Sequence, residues 1–177
     1  LDSLNRKVET GGRLNANKAL EFARFRSLGW QVRYCMDVYN YDDFKEAMEN
    51  DFYSAVRIFN DIEIQENVTL TRSKMLFGGA KLKANGKWHF IIDKDSNVLL
   101  DLGGNVYENC EIDNRSSKFE LEGSGAVMRN GDFSFGGAIN NSGIMTATGV
   151  RIENCRATLG GGIYNTGTMN LKDMTIY

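Results

Sequence analysis

Short runs of alternating apolar and polar residues recur along the C-terminal part of this 177-residue sequence. Residues 169–171 (MNL) and 174–176 (MTI) are two such runs, and clusters rich in Gly, Asn and Thr lie between the runs. Alternation with a period of two is typical of β-strands, whereas Gly and Asn clusters mark turns. The pattern therefore predicts many short strands joined by tight turns.

The runs belong to an internal repeat with a period of 24 residues. FGGAINNSGIMTATGVRIE, which begins at Phe135, matches LGGGIYNTGTMNLKDMTIY, which begins at Leu159, without a gap. A unit of this size with strand-like runs predicts one coil of a solenoid, whose inward residues stack on the same positions of the next coil. The seven identical pairs are Gly136/Gly160, Gly137/Gly161, Ile139/Ile163, Asn141/Asn165, Gly143/Gly167, Met145/Met169 and Ile152/Ile176.

Two expectations follow from stacking these repeats. Ile139 and Ile163 should be inward neighbours in adjacent coils, because they occupy equivalent positions. Asn141 and Asn165 should meet at one turn, where their side-chain amides can form an internal ladder. Gly-Gly pairs suit such turns because they have no Cβ to clash.

The repeat sequences GGAINNSG and GGGIYNTG resemble the GGAI/GGGIYN repeats of bacterial surface adhesins and polymorphic outer-membrane proteins. Those proteins belong to the pectin-lyase-like superfamily. The resemblance implies an all-β solenoid, a right-handed parallel β-helix, over residues 41–177. It also implies a secreted or cell-surface protein that binds a protein or polysaccharide ligand.

The middle of the chain predicts how this solenoid begins. Residues 42–50 place Phe44, Ala47 and Met48 on one face of a short amphipathic helix, with acidic residues in its first turn. We expect residues 41–54 to be a capping helix region that covers the first coil, because an open β edge recruits other chains. The β-helix should then occupy residues 55–177. Strand-like segments follow the helix at 55–59, 62–64, 68–70, 90–92 and 98–100.

Residues 1–23 have a different character. A Gly-Gly turn at Gly11 and Gly12 precedes an amphipathic run, and the string L…KV.TGGRLNA.KAL closely resembles the last turn and closing helix of the subtilisin-like serine protease domain. The resemblance implies that residues 1–25 are the tail of an upstream protease domain, followed by a linker at 26–40. In that family the nucleophilic Ser, the His and the Asp all precede this tail, so we expect no catalytic residue in this chain.

The last residues, Ile176 and Tyr177, fall inside a strand-like run without a polar capping element. We therefore expect the β-helix to be truncated at its C-terminal end. An uncovered coil would expose unpaired backbone groups, which predicts end-to-end self-association of this chain.

Composition excludes several classes of protein. The net charge is −2 and no basic stripe is visible, so we expect no nucleic-acid partner. No apolar run is long enough to span a bilayer. The three cysteines, an odd number without a CxxC pattern, predict small buried thiols rather than a disulfide framework or a zinc site. They are Cys35, Cys110 and Cys155.

The single histidine, His89, is the only candidate for the imidazole of a Ser-His-Asp triad. It lies in GKWHFIID without a nucleophile motif, so we interpret it as a packed or half-exposed strand residue. Residues 93–97 (DKDSN) carry the spacing of Asp93, Asp95 and Asn97 that begins some calcium loops. The later Gly and Glu of such loops are missing, which favours an ordinary polar turn, and we expect no cofactor.

Two functions remain open at this stage, a non-catalytic binding or scaffold segment and a carbohydrate-active β-helix enzyme. Polysaccharide lyases of this fold group acidic residues with Lys or Arg on one exposed strand face, often around Ca²⁺. Three or more charged side chains aligned on one such face would favour the enzyme. A polar face without such an alignment would favour the binding segment. The candidate charged groups are Asp93, Asp95 and Asp101 with Lys94, or Asp113 with Arg115.

A cluster of aromatic residues precedes the predicted helix. We interpret it as core or interdomain packing, and stacking on sugar rings is the alternative. Its members are Trp30, Tyr34, Tyr39 and Tyr41.

Overall fold

The computed structural model describes residues 34–177. In this range the chain forms one helix and a succession of short strands that wind into coils. The first elements are β1 (Tyr34–Val38), α1 (Tyr41–Glu49), β2 (Tyr53–Ile58), β3 (Ile62–Ile64), β4 (Val68–Thr69), β5 (Lys74–Phe77), β6 (Lys81–Ala84), β7 (Trp88–Ile92), β8 (Asn97–Asp101), β9 (Val106–Glu108) and β10 (Cys110–Asn114). The remaining strands are β11 (Lys118–Glu122), β12 (Val127–Arg129), β13 (Asp132–Phe135), β14 (Ile139–Asn141), β15 (Ile144–Thr148), β16 (Arg151–Glu153), β17 (Arg156–Leu159), β18 (Ile163–Asn165), β19 (Thr168–Lys172) and β20 (Thr175–Ile176).

The strands assemble into three long parallel sheets, which we call A, B and C. Sheet A has the order β1-β2-β5-β8-β11-β15-β19, sheet B the order β20-β16-β12-β9-β6-β3, and sheet C the order β18-β14-β10-β7-β4. Each coil contributes in turn a strand to A, to B and to C, and every strand pair is parallel. A two-stranded sheet D, made of β13 and β17, projects between sheets B and C. The predicted right-handed parallel β-helix is confirmed.

The pairing of the last coils follows the repeat in the sequence. Ile139 pairs with Ile163 on sheet C, and Met145 pairs with Met169 on sheet A. Side chains at these positions point into the solenoid, where Ile139 is fully buried. The stacking prediction is confirmed, since a period-two strand sends alternate residues inward.

Helix α1 begins at the expected place. The Asn40 side chain accepts a hydrogen bond from the Asp43 backbone N–H at 3.0 Å, as an N-cap residue does, and the carboxylates of Asp42 and Asp43 suit the positive end of the helix. Phe44, Ala47 and Met48 are buried in the core, so the helix covers the first coil as predicted.

Strand β1 was not expected from the sequence. It lies in residues 26–40, which we assigned to a linker, and it pairs in parallel with β2. The β-structure therefore starts before helix α1 rather than after it. The five residues YCMDV lack clean alternation, which is why no strand was predicted there.

Lys74 is a buried charged residue that connects the second coil to the helix. Only 1% of its surface is exposed. Its Nζ donates hydrogen bonds to the backbone carbonyl oxygens of Ala47 at 2.7 Å, Asn50 at 2.9 Å and Tyr53 at 2.7 Å. Desolvation lowers the pKa of Lys74 to about 8, with the charge of Asp51 acting in the opposite direction. The ammonium supplies three donors, one for each carbonyl.

Within residues 34–177, none of the three cysteines forms a disulfide. Cys110 is buried and Cys155 is half-buried, but Cys35 is exposed on β1, so the expectation of three buried thiols is wrong for Cys35. Burial raises the pKa of both the Cys110 and the Cys155 thiol. Residues 1–23, for which the sequence predicted the tail of a subtilisin-like domain, and Trp30 lie outside the described residues.

Candidate ligand-binding face

The turn between sheets C and A is held by a ladder of asparagines, of which Asn114 and Asn141 are buried and Asn165 is exposed. Asn114 Nδ2 donates to Asn141 Oδ1 at 2.6 Å, and Asn141 Nδ2 donates to Asn165 Oδ1 at 2.6 Å. The predicted ladder of Asn141 and Asn165 is confirmed. Asn114 extends it by one coil, although the sequence repeat did not reveal this member.

Glycines bring the backbones of successive coils close together beside the ladder. A Cβ at Gly143 would lie 1.9 Å from the Ser116 carbonyl oxygen, and one at Gly167 would lie 2.0 Å from the Gly143 carbonyl oxygen. The resulting surface is a shallow cleft of about 540 Å³ that crosses several coils. Its lining includes the charged residues Lys94, Asp95 and Arg115.

The outer face of sheet C adjoins this cleft. The registers of β7, β10, β14 and β18 place Ile91, Asp113, Asn140 and Tyr164 in one column across four neighbouring strands. Arg115 follows β10, and its Nη2 lies 2.5 Å from Asp113 Oδ2. We call this column, together with Arg115, the sheet C face. The predicted pairing of Asp113 with Arg115 is thus present.

An aromatic ridge flanks the sheet C face. It consists of two residues of strand β13 in sheet D, Phe135, which is exposed, and Phe133, which is only 6% exposed and packs against His89. The Phe135 ring lies 5.1 Å from the Tyr164 ring, centroid to centroid, and Phe135 is 44% exposed. Sequence reasoning missed this ridge because the strand pairing of sheet D, not the spacing of residues, brings these rings to the face.

His89 and Glu111 form a pair near the start of the neighbouring strands β7 and β10. His89 Nδ1 lies 3.0 Å from Glu111 Oε2, and the Phe133 ring packs edge-on against the His89 ring at 5.0 Å. His89 is a half-buried strand residue, whereas Glu111 is only 5% exposed. Burial raises the pKa of Glu111, and the hydrogen bond from His89 partly opposes this shift.

The raised Glu111 pKa predicts a pH-dependent contribution to stability. Between the usual value of 4.5 and the raised folded value, the folded chain binds more protons at Glu111 than the unfolded chain does. The stabilising contribution of Glu111 to the free energy of unfolding is therefore present below pH 4.5, and it is lost as the pH rises through the pKa that Glu111 has in the folded chain. Urea unfolding between about pH 4 and pH 7 should show this fall in wild type and not in Glu111→Gln. Glu120→Gln removes a half-exposed carboxylate from sheet A and so controls for the change in net charge. If the free energy of unfolding depends on pH in the same way in wild type and in Glu111→Gln, the prediction is wrong.

A second aligned row of charges lies on the outer face of sheet B. The row has one residue on each of five neighbouring strands, in register with the next. From β3 to β16 its members are Glu63, Lys83, Glu108, Arg129 and Glu153. The signs alternate from coil to coil. Glu108 Oε1 accepts from Arg129 Nε at 2.8 Å and from Nη2 at 2.5 Å, and Arg129 Nη1 lies 4.0 Å from Glu153 Oε1. We call this row the charge ladder.

The other predicted acidic group does not form one cluster. Asp93 and Asp95 are exposed with Lys94 in the turn after β7, where the Ser96 N–H closes a β-turn on the Asp93 carbonyl at 2.9 Å. Asp101 lies at the far end of β8 on sheet A. Asn97 is the exposed first residue of β8. Within residues 34–177, no three His, Cys, Asp or Glu side chains are close enough together to hold a metal ion.

The aromatic residues near the first coil pack in pairs. Tyr34 stacks on Phe52 with ring centroids 4.0 Å apart, and Tyr39 stacks on Phe59 at 4.9 Å. The Tyr41 hydroxyl donates to Glu66. Packing thus accounts for these rings, although half of the Tyr34 and Tyr39 surfaces remains exposed.

The fold is that of a pectin-lyase-like parallel β-helix with aligned polar residues on its outer faces. A family model described as "putative pectate lyase-like adhesive domain" matches residues 35–177, which is more than half of the chain. The chain belongs to this family. No curated protein and no solved structure gives a significant match. In the described part of the chain, no helix is both long and apolar enough to cross a membrane.

Proposed function

We propose that this chain is a non-catalytic adhesive segment of an exported or cell-surface protein. The observation that carries the proposal is the match to an adhesive β-helix family over residues 35–177. A β-helix suits adhesion because each coil adds the same positions to long, rigid outer faces. Here those faces carry the Asp113–Asn140–Tyr164 column and the cleft beside it.

The alternative is a carbohydrate-active enzyme, and the charge ladder is the observation that favours it. Five charged side chains are aligned on one strand face, and an alignment of three or more such residues is typical of a polysaccharide lyase of this fold. The chemistry of the ladder argues against catalysis by Glu108, because its carboxylate is held by two hydrogen bonds from Arg129. A general acid or base needs a carboxylate that is available to the substrate.

A binding assay and a cleavage assay on the same protein test the proposal. We expect the chain to bind at least one surface in a panel of immobilised cell-wall polysaccharides, mucin, collagen and fibronectin, measured by surface plasmon resonance. We expect no shortening of any polysaccharide after prolonged incubation with Ca²⁺, measured by size-exclusion chromatography. Cleavage that disappears in Glu108→Gln but not in Glu120→Gln would establish the enzyme and overturn the proposal.

We infer further that the parent polypeptide places this adhesive segment downstream of a subtilisin-like serine protease domain. The support is the resemblance of residues 1–23 to the closing helix of that domain. Such an arrangement would deliver a peptidase to the surface to which the β-helix binds. The parent sequence upstream of Leu1 tests this inference, since a Ser nucleophile motif there would support it and an unrelated domain would contradict it.

A further inference from the structure

We propose that the sheet C face and the aromatic ridge bind uncharged pyranose units of a polysaccharide. This inference rests on the proposed adhesive function and specifies its ligand. The three residues that carry the site are Asp113, Asn140 and Tyr164, with Phe135 beside them. No residue of the charge ladder takes part.

The column has the dimensions of a short stretch of sugar chain. Asp113, Asn140 and Tyr164 are register partners on three neighbouring strands. Parallel strands lie about 4.8 Å apart, so the column extends roughly 10 Å along the solenoid axis. This length is close to that of a disaccharide. A polysaccharide lying parallel to the axis would therefore place successive rings on successive coils.

The side chains of the column match the two chemical sides of a pyranose. The ring presents faces of C–H groups, which pack on exposed aromatic rings, and a rim of hydroxyls, which exchange hydrogen bonds with planar polar groups. Phe135 and Tyr164 supply the aromatic surface at one end of the column. Asn140 supplies an amide donor and acceptor, and the ion pair of Asp113 and Arg115 supplies both a carboxylate and a guanidinium.

The local charge favours uncharged sugars over uronates. Three carboxylates, those of Asp93, Asp95 and Asp113, surround the two cations Lys94 and Arg115. The Arg115 guanidinium is already paired with Asp113 at 2.5 Å. An anionic polymer would meet a net negative surface here, and unpaired like charges act against such a partner.

The test uses four soluble hexasaccharides, β-1,4-linked glucose, mannose and galactose together with galacturonate, titrated into the full chain by calorimetry. We expect at least one neutral hexasaccharide to bind more tightly than the galacturonate. We expect Tyr164→Ala and Phe135→Ala each to weaken that binding about tenfold, as loss of an aromatic anchor does. Phe59→Ala is the matched control, because Phe59, like Phe135, is about half exposed and packs its ring against a tyrosine, and it should leave the affinity unchanged.

Backbone amide NMR of the wild type locates the bound sugar and separates the outcomes. Shifts centred on Asn140 and Tyr164 support the proposal, whereas shifts centred on the charge ladder overturn it. Equal affinities in wild type, Tyr164→Ala and Phe135→Ala, or preferential binding of galacturonate, also overturn it. If the protein binds only collagen, fibronectin or another protein surface, the sugar site is wrong and the adhesive function stands. If it binds nothing in either panel, both fail.

Discussion

Replacement of Lys74 by Met is expected to lower the free energy of unfolding by about 2–4 kcal/mol, because three backbone carbonyls, one of them buried, lose their donor together. The Lys74 ammonium donates to three backbone carbonyls near the end of helix α1 and the start of β2. Met fills a similar volume but donates nothing. Removal of a buried charge, whose cost is visible in the lowered pKa of Lys74, offsets only part of this loss. Equilibrium unfolding in urea, followed by circular dichroism at neutral pH, measures the change.

The control for this variant is Lys118→Met, which changes an exposed lysine on the same sheet. It should alter the free energy of unfolding by no more than about 0.5 kcal/mol. A Lys74→Met protein as stable as the Lys118→Met protein would show that water replaces the ammonium at the three carbonyls. The contact between the helix and the second coil would then be less important than the geometry indicates.

Replacement of Asn141 by Ala is expected to destabilise the chain by about 2–4 kcal/mol, since it breaks the centre of the asparagine ladder. The Asn141 side chain is fully buried. It accepts from Asn114 and donates to Asn165 Oδ1, to the Gly143 carbonyl at 3.3 Å and to the Thr168 carbonyl at 3.2 Å. Alanine removes all four hydrogen bonds, leaves the buried side-chain amide of Asn114 without its acceptor and also opens a cavity.

Asn140→Ala is the matched control for the ladder, because it makes the same chemical change one residue earlier on the outer face of the same strand. Thermal unfolding of the two variants should differ by several degrees, with the Asn141 variant melting first. Equal melting temperatures would mean that the ladder contributes little and that backbone pairing alone fixes this turn.

The last coils were predictable from the sequence because their lengths are equal. The pairs Ile139/Ile163 and Met145/Met169 are identical residues separated by the same number of positions in the sequence. In a solenoid with coils of equal length, residues separated by one repeat pair on adjacent strands. Helix α1 was predictable for a different reason, since its apolar residues have helical spacing and its first turn is acidic.

The earlier coils and most of the candidate site could not be predicted because the coils there differ in length. Val56 pairs with Leu76, whereas Lys74 pairs with Leu100, so no single offset aligns their residues. The pairing of His89 with Glu111 and the third asparagine of the ladder both depend on these unequal lengths. The aromatic ridge depends on sheet D, which only two neighbouring coils contain.

The alternation of sign along the charge ladder constrains how the length of this β-helix can change. Deletion of the single coil that carries Lys83 would bring Glu63 directly beside Glu108, and like charges opposite each other on adjacent strands repel. Deletion of two coils would instead bring Glu63 beside Arg129 and restore an attractive pair. Sheet B is thus compatible with gain or loss of coils in pairs. Shorter or longer versions of this domain, whether arising by unequal recombination or made by design, should therefore keep the parity of their coil number.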